Sequence, residues 1–376
     1  MAKKRIAVLC DGTWNRPDAE NPTNVMQMAR AVRRSDDDGT VQQVIYVTGV
    51  GTGRGPTPLA RKIDQYIGGA FGIGLLRNIE EAYWHLAFNY VPGDEIYIFG
   101  FSRGAFTARS LAGLIRSCGI PPEDQIRRLP EAMRLYQMRG SAFKPDSERS
   151  LKFRQAFSPF VATSAMDVER RKADGLGACE LINISYLGVW DTVGALGIPQ
   201  WLSISRLFSQ KYKFHDLALS RSVASARHAI AVDERRKSYQ PTLWANLEGL
   251  NGDLGANGPY QQHWFPGDHS AIGGGGPIRD LSAITLRWIA EGAQAAGLAV
   301  NEALLANLTG GATPLGPLTA KDKPPSFFGR LSGGPTGPRQ GPSDPNDLSE
   351  AAQTRLSADL DYRPETLKPF WPSFRP

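Results

Sequence analysis

Short runs of apolar residues alternate along this chain with longer stretches that carry apolar residues at helical spacing. The runs rich in β-branched, aromatic or aliphatic residues lie at 5–10, 43–48, 96–101, 179–189 and 262–265. The stretches with helical spacing lie at 23–34, 75–90, 105–115 and 281–296. Continuous apolar strands separated by helices are typical of a parallel sheet buried on both faces. The pattern predicts an α/β fold, a mostly parallel sheet with helices on both faces.

Two segments interrupt this alternation and are predicted to be helical insertions. Residues 121–178 are charged and carry no strand signal, and residues 198–240 contain many large apolar side chains. The second insertion fits either a lid or acyl-chain site, or a helical hairpin buried on the core. A short strand is predicted after it at 242–244.

The composition changes near the C-terminus, which sets the predicted domain boundaries. Residues 1–305 form the predicted catalytic domain, and residues 306–346 are rich in Gly, Pro, Ser and Lys. Such a segment buries too little apolar surface to offset its ordering entropy, so it is predicted to be a poorly ordered linker. The tail, 347–376, carries Phe370, Trp371 and Phe374, which are expected to dock on the domain.

A serine lies on a tight turn directly after the apolar run at 96–101. The turn reads Gly100-x-Ser102-x-Gly104, and a predicted helix follows it. A bare G-x-S-x-G arises by chance in a chain with 40 glycines. The strand before it and the helix after it are the context of a nucleophile elbow, in which the serine hydroxyl is exposed at the edge of the sheet.

Such a serine needs an imidazole and a carboxylate to become a nucleophile at neutral pH. Asp191 follows the run at 179–189, and His269 lies in a glycine-flanked loop after the run at 262–265. The order Ser102, Asp191, His269 is that of α/β-hydrolases. Asp268 is a rival acid, although a neighbour in sequence is poorly placed to reach the ring. The other histidines are in predicted helices, strands or the second insertion: His85, His215, His228 and His263.

The loop after the first strand is the candidate for the oxyanion site. Gly12 or Thr13 could supply an N–H there, together with the N–H of Arg103. Alternatively, these residues form an Asx turn capped by Asp11, which is a structural role and gives them no part in catalysis. An aspartyl nucleophile would need a second acid two positions on, where the chain has Thr13. The Arg103 side chain either places a cation beside the oxyanion or forms a structural ion pair with an acid such as Asp11.

Charge and composition narrow the function class. The 376 residues carry a net charge of +6 without a basic run typical of nucleic-acid binding. This mild excess is compatible with transient contact with an anionic membrane surface. His, Cys and acidic residues show no metal-ligand spacing, so neither a metal nor a cofactor is expected. The glycine-rich loop at 49–55 lacks the Gly-Lys-Ser/Thr ending of a phosphate loop and is interpreted as a rim of the active site.

Targeting signals and cysteine usage favour a cytoplasmic location. Only a five-residue apolar run follows the basic start, too short for a signal peptide, and no run approaches the roughly 18 residues of a membrane span. Three widely spaced cysteines argue against a disulfide framework. Delivery by a non-classical secretion system stays open.

Four ordered motifs carry a resemblance to a known family over residues 4–300. They are Asp-Gly-Thr-Trp-Asn at 11–15, Gly-Phe-Ser-Arg-Gly-Ala at 100–105, Gly-Val-Trp-Asp-Thr-Val-Gly at 188–194 and Pro-Gly-Asp-His-Ser-Ala-Ile-Gly-Gly at 266–274. The chain resembles the catalytic domain shared by type VI secretion phospholipase effectors and an uncharacterised bacterial and fungal α/β-hydrolase family. The resemblance implies Ser102 as nucleophile, Asp191 as acid, His269 as base, and phospholipase A activity. Ala271 stands where the family usually has an acid, which implies a missing contact near His269.

The predicted function is therefore a serine hydrolase that acts on lipid or other carboxylic esters. Its expected partners are a lipid or small ester substrate, with no nucleic acid. Two alternatives remain: a non-catalytic member that uses the pocket to bind a partner, and a thioesterase or peptidase built on the same triad.

Overall fold

The computed structural model describes residues 3–12, 15, 17–49, 68–193, 218–320 and 336–374, and the side chains of 68–73 are left aside. Thr13, most of the predicted rim loop at 49–55 and residues 198–217 of the insertion at 198–240 lie outside the described residues.

Six of the described strands form one parallel sheet in the order β2-β1-β3-β6-β7-β8. They are β1 Arg5–Cys10, β2 Gln42–Val47, β3 Glu95–Phe101, β6 Ile184–Trp190, β7 Ala226–Ala231 and β8 Tyr260–Phe265. Two short strands, β4 Val161–Ala162 and β5 Glu180–Leu181, pair separately. The predicted parallel α/β fold is confirmed.

Helices connect these strands and cover the sheet. Those before β6 are α1 Asn24–Ala31, α2 Gly68–Asn89, α3 Arg103–Cys118, α4 Leu129–Gln137, α5 Glu148–Phe157 and α6 Ala165–Ala173. Those after it are α7 Leu247–Asn251, α8 His269–Gly273, α9 Asp280–Ala295, α10 Glu302–Thr309 and α11 Glu350–Ala358. Short 3₁₀ turns join several of them, and none of the helices within the described ranges is long and apolar enough to cross a membrane.

Strand β1 is apolar after its first residue because both of its faces are buried under helices. In β1, Ile6 and Val8 pack into a core with α2 and α3, whereas Ala7 and Leu9 point to the opposite core with α1 and α9. All four side chains are fully buried. Successive side chains of a strand face opposite sides of the sheet, so two cores require a continuous apolar run. This packing produces the pattern seen in the sequence.

The second insertion differs from its prediction. Strand β7 lies within the range 198–240 that was predicted to be a helical insertion, and it fills the place between β6 and β8. The strand predicted at 242–244 is wrong, because those residues are extended chain without a sheet partner, although Thr242 N–H donates to Thr192 O. The first insertion is mainly helical, as predicted, apart from the short β4–β5 pair.

The region predicted as a linker also differs from its prediction. Helix α10 and the described residues 310–320 and 336–346 pack on the domain, and Arg339 is fully buried in the ion pair that it forms with Asp191. The tail adds a third apolar cluster in which Phe370 contacts the group around Trp264 of β8. Residues 336–374 are therefore part of the folded body.

Candidate active site

Ser102 occupies a sharp turn between β3 and α3. Its backbone has φ 58° and ψ −121°, a conformation that is rare for a residue with a side chain. The turn fits because a Cβ on Gly100 would lie 2.4 Å from Gly104 O, and a Cβ on Gly104 would lie 2.1 Å from Cys10 O. Only glycine permits this approach of β1, β3 and α3. The geometry is that of a nucleophile elbow.

The structure brings the three residues predicted as a triad into one hydrogen-bonded chain. His269 Nε2 lies 2.8 Å from Ser102 Oγ, and His269 Nδ1 lies 2.5 Å from Asp191 Oδ2. Ser102 follows β3, Asp191 follows β6 and His269 follows β8, so all three lie at the carboxyl edge of the parallel sheet. Each side chain is less than a tenth exposed.

Asp191 is held in place by contacts that the sequence did not predict. Its backbone has a positive φ of 39°, and its Oδ1 accepts a hydrogen bond of 3.0 Å from Ala231 N. Arg339 donates to both carboxylate oxygens, at 2.7 Å and 2.9 Å. Burial alone would raise the pKa of Asp191, but the Arg339 charge and the hydrogen bonds from His269 and Arg339 hold it far below its usual range. Asp191 is therefore a carboxylate at neutral pH.

His269 begins the short helix α8, which its neighbour caps. Asp268 accepts hydrogen bonds of 2.8 Å from Ala271 N and from Ser270 Oγ. Asp268 therefore acts as the helix N-cap, and the ring of His269 contacts Asp191 instead. Of the two candidate acids, Asp191 is the one that lies within hydrogen-bond distance of the His269 ring. The buried methyl group of Ala271 contributes no charge near the ring.

Aromatic rings surround the imidazole of His269. The Phe101 ring lies 4.7 Å from it, and the Tyr239 ring meets it edge-on at 4.9 Å. These rings fix the orientation of the imidazole and keep water from its faces.

The loop after β1 is organised around Asp11. Its carboxylate accepts hydrogen bonds from Gly12 N at 2.6 Å, Thr23 Oγ1 at 2.6 Å and Tyr46 OH at 2.5 Å. The Gly12 N–H, predicted as an oxyanion donor, thus donates to the carboxylate of the preceding residue, Asp11. Thr13, the alternative donor, lies outside the described residues.

The predicted oxyanion residue Arg103 is the first residue of α3, so its N–H points out of the N-terminal end of that helix. The Arg103 side chain is half-buried, and burial lowers its pKa to about 10, which leaves it cationic at neutral pH. Hydroxyl, amide and backbone donors occupy the carboxylate of Asp11, the acid suggested as its ion-pair partner.

Of the remaining described histidines, His228 and His263 have structural partners, whereas His85 is exposed on α2. His228 lies on β7, where Nε2 accepts from Thr192 N at 3.2 Å and Nδ1 contacts Gln262 Oε1 at 3.2 Å. Burial lowers its pKa to about 3, so the ring is neutral. His263 stacks on Trp288 at 5.2 Å. No group of three or more His, Cys, Asp or Glu side chains suited to a metal ion occurs in the described part of the chain.

Comparison with known families identifies this architecture. Residues 4–292 match the family model described as the type VI secretion system phospholipase effector Tle1-like catalytic domain. The chain belongs to this family. The family resemblance predicted from the four motifs is thereby confirmed, and the match spans every strand of the central sheet.

Individual relatives are more distant. An uncharacterized protein of Saccharomyces cerevisiae is 27% identical over 246 residues, which is 63% of this chain and 32% of that protein. An uncharacterized protein from Pseudomonas aeruginosa is 16% identical, with a TM-score of 0.44 over all of this chain and 56% of its own. The Tle1 effector bound to the VgrG spike of the type 6 secretion system is 17% identical, with a TM-score of 0.35 over 74% of this chain and 53% of its own. The chain thus spans about a third of the curated relative and just over half of each solved one.

Proposed function

We propose that this chain is a serine hydrolase that cleaves carboxylic esters, with acyl esters of phospholipids as its main substrates. The observation that carries the proposal is the hydrogen-bonded chain from Ser102 through His269 to Asp191, at 2.8 Å and 2.5 Å. The lipid part rests on the description of the family as phospholipase effectors.

In this mechanism Ser102 Oγ attacks the ester carbonyl while His269 Nε2 accepts its proton. Asp191 holds His269 Nδ1–H and stabilises the imidazolium that forms. The N–H of Arg103, at the positive end of α3, faces the developing oxyanion. A second donor comes from Thr13, or from Gly12 once its N–H is shared between Asp11 and the oxyanion. His269 then protonates the leaving alcohol. In the second half of the reaction water attacks the acyl-enzyme while His269 accepts its proton, and His269 returns that proton to Ser102 Oγ as the fatty acid leaves.

A fluorophosphonate probe tests whether the serine is activated, because an ordinary serine hydroxyl does not react with it. We expect labelling of the wild-type protein and none of Ser102→Ala, which should fold normally because Ser102 Oγ contributes no packing beyond its contact with His269. A wild-type protein that is not labelled would refute the serine hydrolase and favour the non-catalytic alternative.

A substrate panel tests the lipid assignment. Short and long 4-nitrophenyl esters, phosphatidylcholine and phosphatidylglycerol vesicles, a thioester and a peptide amide would be compared, with Ser102→Ala as the blank. We expect release of fatty acid from the vesicles. Activity confined to short soluble esters would contradict a lipid substrate. A preference for the thioester would instead indicate a thioesterase, and a preference for the amide a peptidase.

A further inference from the structure

Arg339, in the C-terminal segment, donates to Asp191. It thereby extends the chain of hydrogen bonds from Ser102 through His269 to Asp191 at the end opposite the serine. We propose that Arg339 is a positioning residue for the reaction, which fixes the plane of the Asp191 carboxylate and offsets the Asp191 charge beside His269, the group that accepts the proton of Ser102. This inference rests on the proposed hydrolase function.

Both terminal nitrogens of the Arg339 guanidinium donate to the site, whereas its buried Nε has no hydrogen-bond partner within the described residues. Nη1 donates to Asp191 Oδ1 at 2.7 Å and to Ala231 O at 2.8 Å. Nη2 donates to Asp191 Oδ2 at 2.9 Å and to Tyr239 O. The same Ala231 donates its N–H to Asp191 Oδ1. A planar fork bound to both carboxylate oxygens and to two carbonyl groups fixes the rotation of Asp191 and leaves Oδ2 aimed at His269.

The segment that carries Arg339 is itself held tightly against the body. Gly337 N donates to Arg235 O at 2.7 Å, and Thr336 forms a β-bridge with Arg236. At the other side of the arginine, a Cβ on Gly341 would lie 1.9 Å from Thr366 O, so the backbones are in direct contact. The backbone on both sides of Arg339 is therefore held against the body of the protein. A residue that positions another group needs such rigid support.

The charge of Arg339 acts on the proton affinity of the Asp191–His269 pair. Protonation of His269 adds a positive charge next to a carboxylate that Arg339 already neutralises, which makes that protonation less favourable. Neutral His269 is the form that accepts the proton of Ser102. Without Arg339 the pair would bind a proton more tightly, and the acid limb of the activity profile would move to higher pH.

Other titratable groups surround the pair but do not replace Arg339. They are Arg103, His228, Glu234, Arg236, Tyr239 and Asp268. Glu234 and Arg236 form an ion pair at 2.6 Å, so their charges offset each other. His228 is neutral at working pH because burial lowers its pKa to about 3. Within the described residues, Arg339 is the cation in contact with Asp191.

The proposal also implies that residues beyond the matched catalytic domain contribute to activity. The family match ends at residue 292, and residue 339 lies well beyond it. The activity of this chain is therefore expected to depend on a segment outside the matched catalytic domain, one that composition alone assigns to a linker.

The test compares Arg339→Met and Arg339→Lys with a matched buried arginine, Arg355→Met. Arg355 donates to Pro314 O at 2.8 Å and Gly316 O at 2.6 Å and does not contact the triad. Two readouts are measured from about pH 5 to 9 on the full chain. One is kcat/KM on a 4-nitrophenyl ester, and the other is the NMR titration of the His269 ring, assigned with His269→Gln. Thermal unfolding is recorded for each variant.

We expect Arg339→Met to move both midpoints up by about 1–2 pH units, so that activity at acid pH falls about tenfold or more relative to that at alkaline pH. Arg355→Met should lower thermal stability without moving either midpoint. Arg339→Lys keeps the charge but not the fork, so its midpoints should stay and its kcat should fall about tenfold at an unchanged KM.

Unchanged midpoints in Arg339→Met, or an equal shift in Arg355→Met, would overturn the proposal. If Arg339→Met does not fold, the test rests on Arg339→Lys. A wild-type kcat of Arg339→Lys would then overturn the proposal. A wild-type chain that cleaves no ester and reacts with no fluorophosphonate would refute the proposed function alone, because the ring titration of His269 still reports on Arg339.

Discussion

Replacing Gly104 by alanine should disable the site through the backbone, without touching a catalytic group. The added Cβ would lie 2.1 Å from Cys10 O and 2.5 Å from Asp11 O, whereas real Cβ atoms essentially never come within 3.0 Å of such neighbours. Both neighbours are backbone atoms of the central strand β1 and of its loop, so α3 must move by about 0.9 Å or more. Since Ser102 starts that helix, its hydroxyl moves with it.

A displacement near 1 Å at the reacting atoms costs about 10²-fold in rate, which is about 2.7 kcal/mol of transition-state stabilisation. Overpacking should also lower the free energy of unfolding by about 1–3 kcal/mol. The rate of fluorophosphonate labelling and kcat/KM on an ester measure the first effect, and urea unfolding measures the second.

Gly113→Ala is the matched control, because it makes the same change in the same helix. Its Cβ would meet the side chain of Tyr136, at 2.9 Å from the hydroxyl, so the strain falls on a partly buried side chain and not on the backbone of β1. Alanine at this interior helix position should be neutral or stabilising by up to about 1 kcal/mol, with normal labelling. If Gly104→Ala reacts at the wild-type rate, or if both variants lose activity equally, the reasoning about the elbow is refuted.

Two further predictions concern the support of the site and of the first insertion. Asn24 donates to Ile272 O at 3.0 Å and to Ser282 O at 2.7 Å. The variant Asn24→Ala should therefore loosen the helix that begins with His269 and slow fluorophosphonate labelling about tenfold. Labelling at the wild-type rate would contradict this. Asp167 is fully buried between Arg154 and Arg171, at 2.7 Å and 3.1 Å, and Asp167→Asn should lower the free energy of unfolding in urea by about 3–5 kcal/mol while labelling stays normal. Burial raises the pKa of Asp167, but the two arginines outweigh it and hold the pKa below its usual range. Its stabilising contribution is therefore complete above about pH 4 and is lost as the pH falls further, so wild-type and variant stabilities should converge in acid.

The sequence predicted those parts of the site that follow from local pattern. Ser102, Asp191 and His269 each come directly after a buried strand, and the carboxyl ends of parallel strands meet at one edge of a sheet. Apolar runs locate the strand ends to within a few residues, so the three side chains could be brought together without knowledge of any long-range contact. The cap formed by Asp268 is also local, since it depends only on the start of a helix.

The parts that the sequence missed depend on partners far away in the chain. Strand β7 reads Ala-Arg-His-Ala-Ile-Ala and lies in the range predicted to be a helical insertion, because it lacks the continuous apolar run of the other central strands. The structure buries His228 because Thr192 and Gln262, on neighbouring elements, satisfy both ring nitrogens. Polar residues are tolerated in a central strand when such partners exist, and a pattern of hydrophobicity does not reveal them.

Arg339 shows why composition failed for the C-terminal segment. Composition measures how much apolar surface a segment can bury on average, and by that measure residues 306–346 cannot order themselves. The segment's described residues, 306–320 and 336–346, are instead held by specific contacts, and the ion pair of Arg339 with Asp191, 148 positions earlier, is fully buried. The dependence runs in both directions, because a fully buried carboxylate with only an imidazole and one backbone N–H as partners would bear a large desolvation cost. A domain boundary drawn where the apolar pattern ends, near residue 305, would therefore remove the group that keeps Asp191 charged, and the truncated chain should lose both stability and the fixed orientation of Asp191.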